Sequence, residues 1–382
     1  MNRLPPRGQL GTLLLAAVLP TLAGLAAAQP PSERFRQLDR DGDGVVTRSE
    51  FQDAIFEKID ADGDGRITAE EERQFLKKRL GGAAPAGGPP RLPDNVKAEL
   101  DLPYAGTDNP KQRLDLYLPR KPASDKPLPV IAFIHGGGWK SGDKRGAGGL
   151  LAGFAQSGNY ATASIGYRLT GEAGWPAQIH DCKAAIRWLR ANAATYNLDP
   201  DRIGVMGTSA GGHLVAMLGT SGDVAELEGS LGEHCDQSSR VKCVVDQFGP
   251  TDFAAIFTEI GWARDRPDGA VALLLGGPVS ERRDAALAAS PITYISKDDP
   301  PFMCVHGTDD ALVPFSQSEL LDKALAGVEV ECVLLKVDGG GHGGFRNPKV
   351  PDRIRKFFDN HLLGRDHALA DEVVEDGVRP AR

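Results

Sequence analysis

At 382 residues the chain is longer than one ordinary domain and long enough to bury a large apolar core. Lys and Arg total 44 against 52 Asp and Glu, a formal net charge of -8, and no basic run offsets it; this argues against a nucleic-acid partner. Hydrophobic residues at 41% and charged residues at 25% give the balance of a water-soluble globular protein, not a disordered one.

Residues 1–28 read as a secretory signal peptide. Arg3 and Arg7 form a positive flank, Leu10 to Leu25 is an apolar stretch interrupted by Pro20, and Ala26-Ala27-Ala28 offers a small-residue cleavage site. An uncut membrane anchor is the alternative, disfavoured because the apolar run is short for a spanning helix. The expectation is a secreted or periplasmic protein with no stable membrane insertion after cleavage. Of five cysteines, Cys235 and Cys243 lie close together in a polar loop and are the best disulfide candidates, whereas Cys182, Cys304 and Cys332 sit in apolar runs and read as buried small side chains.

Residues 29–80 contain one twelve-residue pattern twice, DRDGDGVVTRSE from Asp39 and DADGDGRITAEE from Asp60. A hard cation such as Ca²⁺ takes several oxygen ligands and needs a loop that turns sharply. Asp39, Asp41 and Asp43 stand at positions 1, 3 and 5, Gly44 at the turn, the Val45 carbonyl at 7, Thr47 at 9 and Glu50 at 12. Asp60, Asp62, Asp64, Gly65, Arg66, Thr68 and Glu71 repeat the set. Val46 and Ile67 are placed to pair through a short strand bridge. Phe35, Leu38, Phe51, Ile55, Phe56 and Ile59 supply a small core. At every ligand position, twice, the segment resembles an EF-hand. The resemblance implies two Ca²⁺ sites in a small all-α unit. The loop starts, 21 residues apart, depart from the usual pair and make the helix leaving the first loop the one entering the second, which favours a compact structural or docking module, with a docking partner as one expectation, over a calcium sensor.

Residues 81–93 (GGAAPAGGPPRLP) are a linker by composition. From residue 94 to 364, apolar strand-like runs alternate with helical patterns, the signature of a mostly parallel sheet with helices on both faces. Strands are expected at Val130–Ile134, Ala161–Ile165, Arg202–Met206, Val241–Phe248, Phe302–Val305 and Val330–Val337, behind an antiparallel pair at Leu100–Leu102 and Arg113–Leu118. Helices fit Ile179–Asn192, Ala210–Gly219, Ser316–Ala326 and Arg353–His361. Residues 365–382 are charged and aperiodic and read as a disordered tail.

Three features of this region carry chemistry. Gly207-Thr208-Ser209-Ala210-Gly211 lies between a strand and a helix, the setting in which G-x-S-x-G exposes a nucleophilic serine. His135-Gly136-Gly137-Gly138-Trp139 ends an earlier strand; its bare backbone, with the Ala210 N–H, suits an oxyanion hole built from the N–H groups of Gly137, Gly138 and Ala210. A serine needs a base oriented by an acid, in the chain order Ser, Asp, His. His342, in the flexible run Gly339-Gly340-Gly341-His342-Gly343-Gly344, is the base by elimination among eight histidines. In His306-Gly307-Thr308-Asp309-Asp310-Ala311-Leu312-Val313-Pro314 the H-G-x-x-D-x-x-V-P form selects Asp310, with Asp309 the alternative. Asp181 reads as a carboxylate at a helix N-terminus, with bracing of the glycine loop as a second reading. Trp139, Tyr167, Trp175 and Trp262 either line a pocket or belong to the core, and Glu259 to Ser290 is expected to shape the entrance.

HGGGW, GTSAGG, HGTDDALVP and GGGHGGF, in this order, resemble the hormone-sensitive-lipase-like branch of α/β-hydrolases. HGGGWKSGDK, DCKAAIRWLRANAATYNLDPDRIGVMGTSAGGHL and SPITYISKDDPPF are similar to the bifunctional feruloyl and acetyl-xylan esterase type. The resemblance implies an α/β-hydrolase fold and a serine esterase acting on acetyl or feruloyl esters of plant polysaccharide, without a catalytic metal or organic cofactor. A general short-chain carboxylesterase, a peptidase of the same fold and a non-catalytic calcium-dependent binding protein are the competing readings.

Overall fold

The computed structural model describes residues 35, 38–51, 56–79, 92–261 and 264–377. The signal-peptide segment, residues 81–91 of the linker, Ile55 and Trp262 lie outside the described residues. The chain divides into two compact units, Met1–Arg79 and Leu80–Arg382.

In the first unit, β1 (Val45–Thr47) and β2 (Arg66–Thr68) pair antiparallel with Val46 opposite Ile67. Both of those side chains are buried, together with Phe35 and with Phe56 and Ile59 of α1 (Phe56–Ile59). The helix leaving the second loop, α2 (Ala69–Arg79), carries Glu70, Glu71 and Glu72 in its first turn, where the helix dipole favours carboxylates.

The second unit is built on a nine-stranded sheet of order β11-β10-β9-β8-β7-β5-β6-β4-β3. β3 (Val96–Pro103) pairs antiparallel with β4 (Arg113–Pro119), and β4 antiparallel with β6. The rest is parallel: β5 (Leu128–Ile134), β6 (Ala161–Ile165), β7 (Leu198–Thr208), β8 (Cys243–Gln247), β9 (Phe302–Gly307) and β10 (Cys332–Asp338). The central runs are apolar throughout because helices cover both faces. α3 (Gly148–Gln156) and a late helix over Lys349–Leu363 pack on one face, with Leu151, Ala155, Ile354, Phe357 and Phe358 buried there. α4 (Ala177–Ala191) and α5 (Ala210–Thr220) pack on the other, with Ile179, Ile186, Leu214 and Leu218 buried. Between β8 and β9 lie, among the described residues, the short α-helices α6 (Phe253–Ile260), α7 (Ala270–Leu275) and α8 (Arg283–Ala288), followed by a 3-10 turn at Pro291–Tyr294. α9 (Ser316–Ala326) joins β9 to β10, and Lys349–Leu363 is α10.

Two expectations are corrected. Residues 365–377 are not a disordered tail: β11 (Glu372–Glu375) adds parallel to β10, from Leu335 opposite Glu372 to Asp338 opposite Glu375. Long-range contacts create it. Buried Asp359 on α10 accepts a hydrogen bond from Arg365, the Arg353 guanidinium donates to the carbonyls of Ala368 and Ala370, and Val374 enters the core. Cys235 and Cys243 form no disulfide; all five cysteines are free. Cys235 stays exposed in its loop, while β8 begins at Cys243 and carries that thiol into the core over Gly204.

Candidate active site

β7 ends at Thr208 and α5 begins at Ala210, so Ser209 is the single residue of the turn. Its backbone is left-handed, φ 55° and ψ -120°, a conformation that costs a non-glycine residue about 1–3 kcal/mol and persists only where the surroundings impose it. They do so by close approach: a Cβ on Gly207 would run into the Gly211 carbonyl, and one on Gly211 into the Ile134 carbonyl. The Ser209 N–H donates to the Gln247 carbonyl at 2.9 Å, which fixes the turn to β8.

Ser209, His342 and Asp310 are brought into one hydrogen-bonded chain. Ser209 Oγ lies 2.8 Å from His342 Nε2, and His342 Nδ1 lies 2.6 Å from Asp310 Oδ2. The other oxygen, Oδ1, accepts from the Leu312 and Val313 N–H groups at 2.8 and 3.0 Å. Burial opposes ionisation of Asp310, but hydrogen bonds from His306 and His342 hold its carboxyl well below the usual range. The alternative, Asp309, is exposed, and its N–H donates to the Gly340 carbonyl. The His342 ring is backed by Phe248, whose ring centroid lies 4.8 Å away in an edge-on arrangement; Phe248 itself has φ 46°.

His306 was legible in the sequence only as the first residue of the acid loop. It is fully buried, its Nε2 lies 3.2 Å from Asp310 Oδ2 and 3.0 Å from the Val313 carbonyl, and its Nδ1 lies 2.8 Å from Ser318 Oγ. An ionised carboxylate and a carbonyl only accept, so Nε2 carries the proton. Asp310 therefore receives hydrogen bonds from two imidazoles.

The glycine loop after β5 passes directly beside the nucleophile: a Cβ on Gly136 would meet the Thr208 carbonyl and the Ser209 Cβ. Gly137, Gly138 and Trp139 have φ 119°, 59° and 56°, and the Gly137 carbonyl accepts from the Lys140 and Ser141 N–H groups. Ala210 is the first residue of α5, so its N–H lies at the helix N-terminus on the other side of Ser209. The Trp139 indole N–H donates to His213 Nδ1 at 3.2 Å, and His213 Nε2 donates to the Ala289 carbonyl at 2.7 Å. That pairing requires a neutral ring, and burial pushes His213 down to about 4. Trp175 packs edge-on against the same ring at 5.5 Å. His135 stacks on Tyr167 at 4.3 Å, and the Tyr167 hydroxyl donates to the His135 carbonyl. Trp139 and Tyr167 are thus buried braces of the loop.

Asp181 has the bracing role instead of merely facing a helix dipole. It is fully buried and accepts from the Arg168 backbone N–H at 2.8 Å, from the Arg168 guanidinium and from Gln112 Nε2 at 2.8 Å. Arg168 follows Tyr167, so this cluster holds the segment that holds His135. No local pattern signals it, because the partners lie 13 and 69 residues away. Within the stretch from Glu259 to Ser290, Ala270 of α7 closely approaches Gly138 and Ala289 anchors His213, so that stretch adjoins the glycine loop.

In the first unit, carboxylate oxygens of Asp39, Asp41 and Glu50 converge within 4.8 Å of one another, as do those of Asp60, Asp62 and Glu71. Asp43 and Asp64 accept from the N–H groups of Val45 and Arg66 two residues on, and the Thr47 and Thr68 hydroxyls donate to Glu50 and Glu71 at 2.8 Å. Donors from the Thr47 backbone and side chain hold Glu50 at about 2. Asp39 Oδ1 is buried without a hydrogen-bond partner among the described residues. An all-oxygen set of this kind, with one buried carboxylate oxygen of the first loop left without a hydrogen-bond partner among the described residues, fits a hard divalent cation.

Comparison with known proteins agrees with both units. The BD-FAE family model matches residues 114–325, and an EF hand model matches residues 33–55 and 52–76. Esterase LipC of Mycobacterium tuberculosis is 32% identical over 238 residues, which cover 62% of this chain and 58% of that protein, so the chain spans little more than half that relative's length. A truncated form of a carbohydrate esterase from gut microbiota is 33% identical with a TM-score of 0.67, over 72% of this chain and 100% of that one. An acetyl ester-xyloside bifunctional hydrolase from Caldicellulosiruptor lactoaceticus is 25% identical with a TM-score of 0.57, over 72% of this chain and 98% of that one.

Proposed function

The chain belongs to the BD-FAE family of α/β-hydrolase esterases, and on that premise we propose that it is a secreted or periplasmic serine esterase that removes short acyl groups, acetyl or feruloyl, from plant polysaccharide. The carrying observation is the unbroken chain from Ser209 through His342 to Asp310 beside a glycine loop. The names of the carbohydrate-esterase and acetyl ester-xyloside hydrolase neighbours support the substrate class.

The reaction is acyl transfer in two halves. His342 Nε2 takes the Ser209 hydroxyl proton as Oγ attacks the ester carbonyl carbon, and the carbonyl electrons move onto oxygen. The N–H groups of Gly137, Gly138 and Ala210 receive that oxyanion. Collapse breaks the bond to the alcohol, which leaves with the proton from His342 and an acyl group on Ser209. Water then gives a proton to His342 and attacks the acyl carbon. Collapse returns the proton to Ser209 and releases the acid. Asp310, kept ionised by its donors, fixes the proton on His342 Nδ1 and stabilises the imidazolium formed in each half.

In the first unit, Asp39, Asp41, Asp43, the Val45 carbonyl, Thr47 and Glu50 would hold one Ca²⁺, and Asp60, Asp62, Asp64, the Arg66 carbonyl, Thr68 and Glu71 a second. Calcium there supplies charge neutralisation and loop ordering, and takes no part in ester cleavage.

The test is hydrolysis of p-nitrophenyl acetate, p-nitrophenyl decanoate, methyl ferulate and acetylated xylan, with Ser209→Ala in parallel. Turnover of the short esters and acetyl-xylan that disappears in the variant is expected. Failure to cleave any of them would transfer the assignment to a calcium-dependent binding protein on a hydrolase fold, whereas cleavage of p-nitrophenyl esters alone would make it a general carboxylesterase.

A further inference from the structure

The loop that carries His342, Gly339 to Phe345, contains five glycines, and Gly339, Gly343 and Gly344 have φ 68°, 79° and 70°. Such a chain has the largest backbone freedom to lose, about 1–2 kcal/mol per residue ordered. Yet His342 must sit within a few tenths of an ångström of its position for proton transfer. Its N-terminal half is held by the acid loop. The Gly339 N–H donates to Thr308 Oγ1 at 2.8 Å, and the Gly340 carbonyl accepts from the Asp309 N–H at 2.8 Å.

The C-terminal half is held from β11. The Asp376 carboxylate accepts from the Arg346 N–H at 2.7 Å, and the Glu375 carbonyl accepts from Asn347 Nδ2 at 2.6 Å. The Asp376 N–H also donates to the Asp338 carbonyl at 2.9 Å, so one residue grips both feet of the loop. Asp376 is itself fixed: β11 is in register with β10, Glu372 pairs with Lys349 and Arg353 of α10, and Val374 is buried. Phe345, the last residue of the loop, packs against Phe248, the ring that backs His342.

We propose that the C-terminal strand belongs to the working site, with Asp376 a positioning residue that sets the catalytic geometry of His342 by closing the base loop. This rests on the esterase reading above. Asp376 touches no reacting atom. It acts by restricting where the imidazole stands relative to Ser209, which affects kcat and leaves substrate binding on the glycine-loop side untouched.

Asp376→Ala removes the acceptor for the Arg346 N–H; Asp376→Asn keeps an oxygen there. With kcat on p-nitrophenyl acetate normalised to active sites titrated by a phosphonate ester, Asp376→Ala should lose about 10- to 100-fold in kcat with KM within about twofold. Asp376→Asn should restore most of the loss. Amide hydrogen exchange of residues 343–347 should quicken in Asp376→Ala and not in Asp376→Asn. That readout exists even if the wild type cleaves no ester, so failure of the esterase reading stays separate from failure of this one. A kcat per active site equal to wild type in Asp376→Ala, an equal loss in both variants, or unchanged exchange at residues 343–347 would each overturn the proposal.

Discussion

Replacing His213 by glutamine should flatten the acid side of the stability profile by an amount the structure sets. His213 is fully buried among Trp139, Trp175 and Phe253, accepts the Trp139 indole N–H and donates to the Ala289 carbonyl. Burial lowers it from 6.5 to about 4 in the folded chain. Below pH 6.5 the unfolded chain takes up a proton that the folded one refuses, so stability is lost as pH falls from 6.5 toward 4. Between pH 8 and pH 5 this one group removes about 2 kcal/mol, from a slope near 1.4 kcal/mol per pH unit below its unfolded value. His135, likewise lowered to about 4 by burial, acts in the same direction, and Asp246, raised to about 6 by burial, acts in the other. Both are common to the two proteins and cancel in the difference. The assay is urea unfolding from pH 4 to 8 followed by tryptophan fluorescence; all four tryptophans lie in the second unit, so the signal reports that unit alone. His213→Gln begins less stable at pH 8 through poorer packing, but should lose about 2 kcal/mol less than wild type on going to pH 5. Parallel curves would show that His213 is not held neutral by its burial, and the account of how Trp139 is anchored would fail with it.

Other outcomes follow from the same contacts. His306→Leu removes one of the two imidazoles that donate to Asp310 and loosens the carboxylate that orients His342, so kcat on p-nitrophenyl acetate should fall about 10-fold, while His306→Gln, which keeps a donor, should retain most of it; equal kcat in wild type and His306→Leu would refute the shared-acid arrangement. Gly211→Ala forces a methyl into the Ile134 carbonyl and should cost about 3 kcal/mol in urea unfolding, with activity lost; a stable, active variant would contradict the close approach. Chelation with EDTA should unfold the first unit, read as rapid proteolysis within residues 38–79, and leave p-nitrophenyl acetate turnover within about twofold; loss of most activity would show that calcium supports the catalytic unit. Native protein should show one fast thiol toward Ellman's reagent, Cys235, rising to five on denaturation, and a total of three would restore the disulfide.

The elements legible in the sequence were those whose signal is local. Ser316–Ala326 was predicted to the residue, and the parallel strands to within a few residues, because a strand covered on both faces is a continuous apolar run. The G-x-S-x-G turn and the glycine loop were visible because the close approach of backbones there admits no Cβ. What stayed hidden depends on contacts distant in sequence. Asp181 looks like any acidic residue in an early helical turn until Gln112 and Arg168 fold onto it. β11 has one buried residue in four, too little periodicity to separate from a solvated tail. His306 reads as part of the acid motif, and only the fold brings Ser318 to its far nitrogen.

The base stands 133 residues after the nucleophile, on the far side of two further sheet strands. During synthesis, which proceeds N-terminus first, the serine and its glycine loop are complete long before their proton acceptor exists. At about 5–20 residues per second, the interval from Ser209 to His342 is roughly 7–27 s. Until His342 is made, the imidazole that lies 2.8 Å from Ser209 Oγ in the folded chain is absent. On the serine-esterase reading, hydrolytic competence cannot precede residue 342, so a product that terminates between Ser209 and His342 should be silent toward the acyl esters of the cell that makes it.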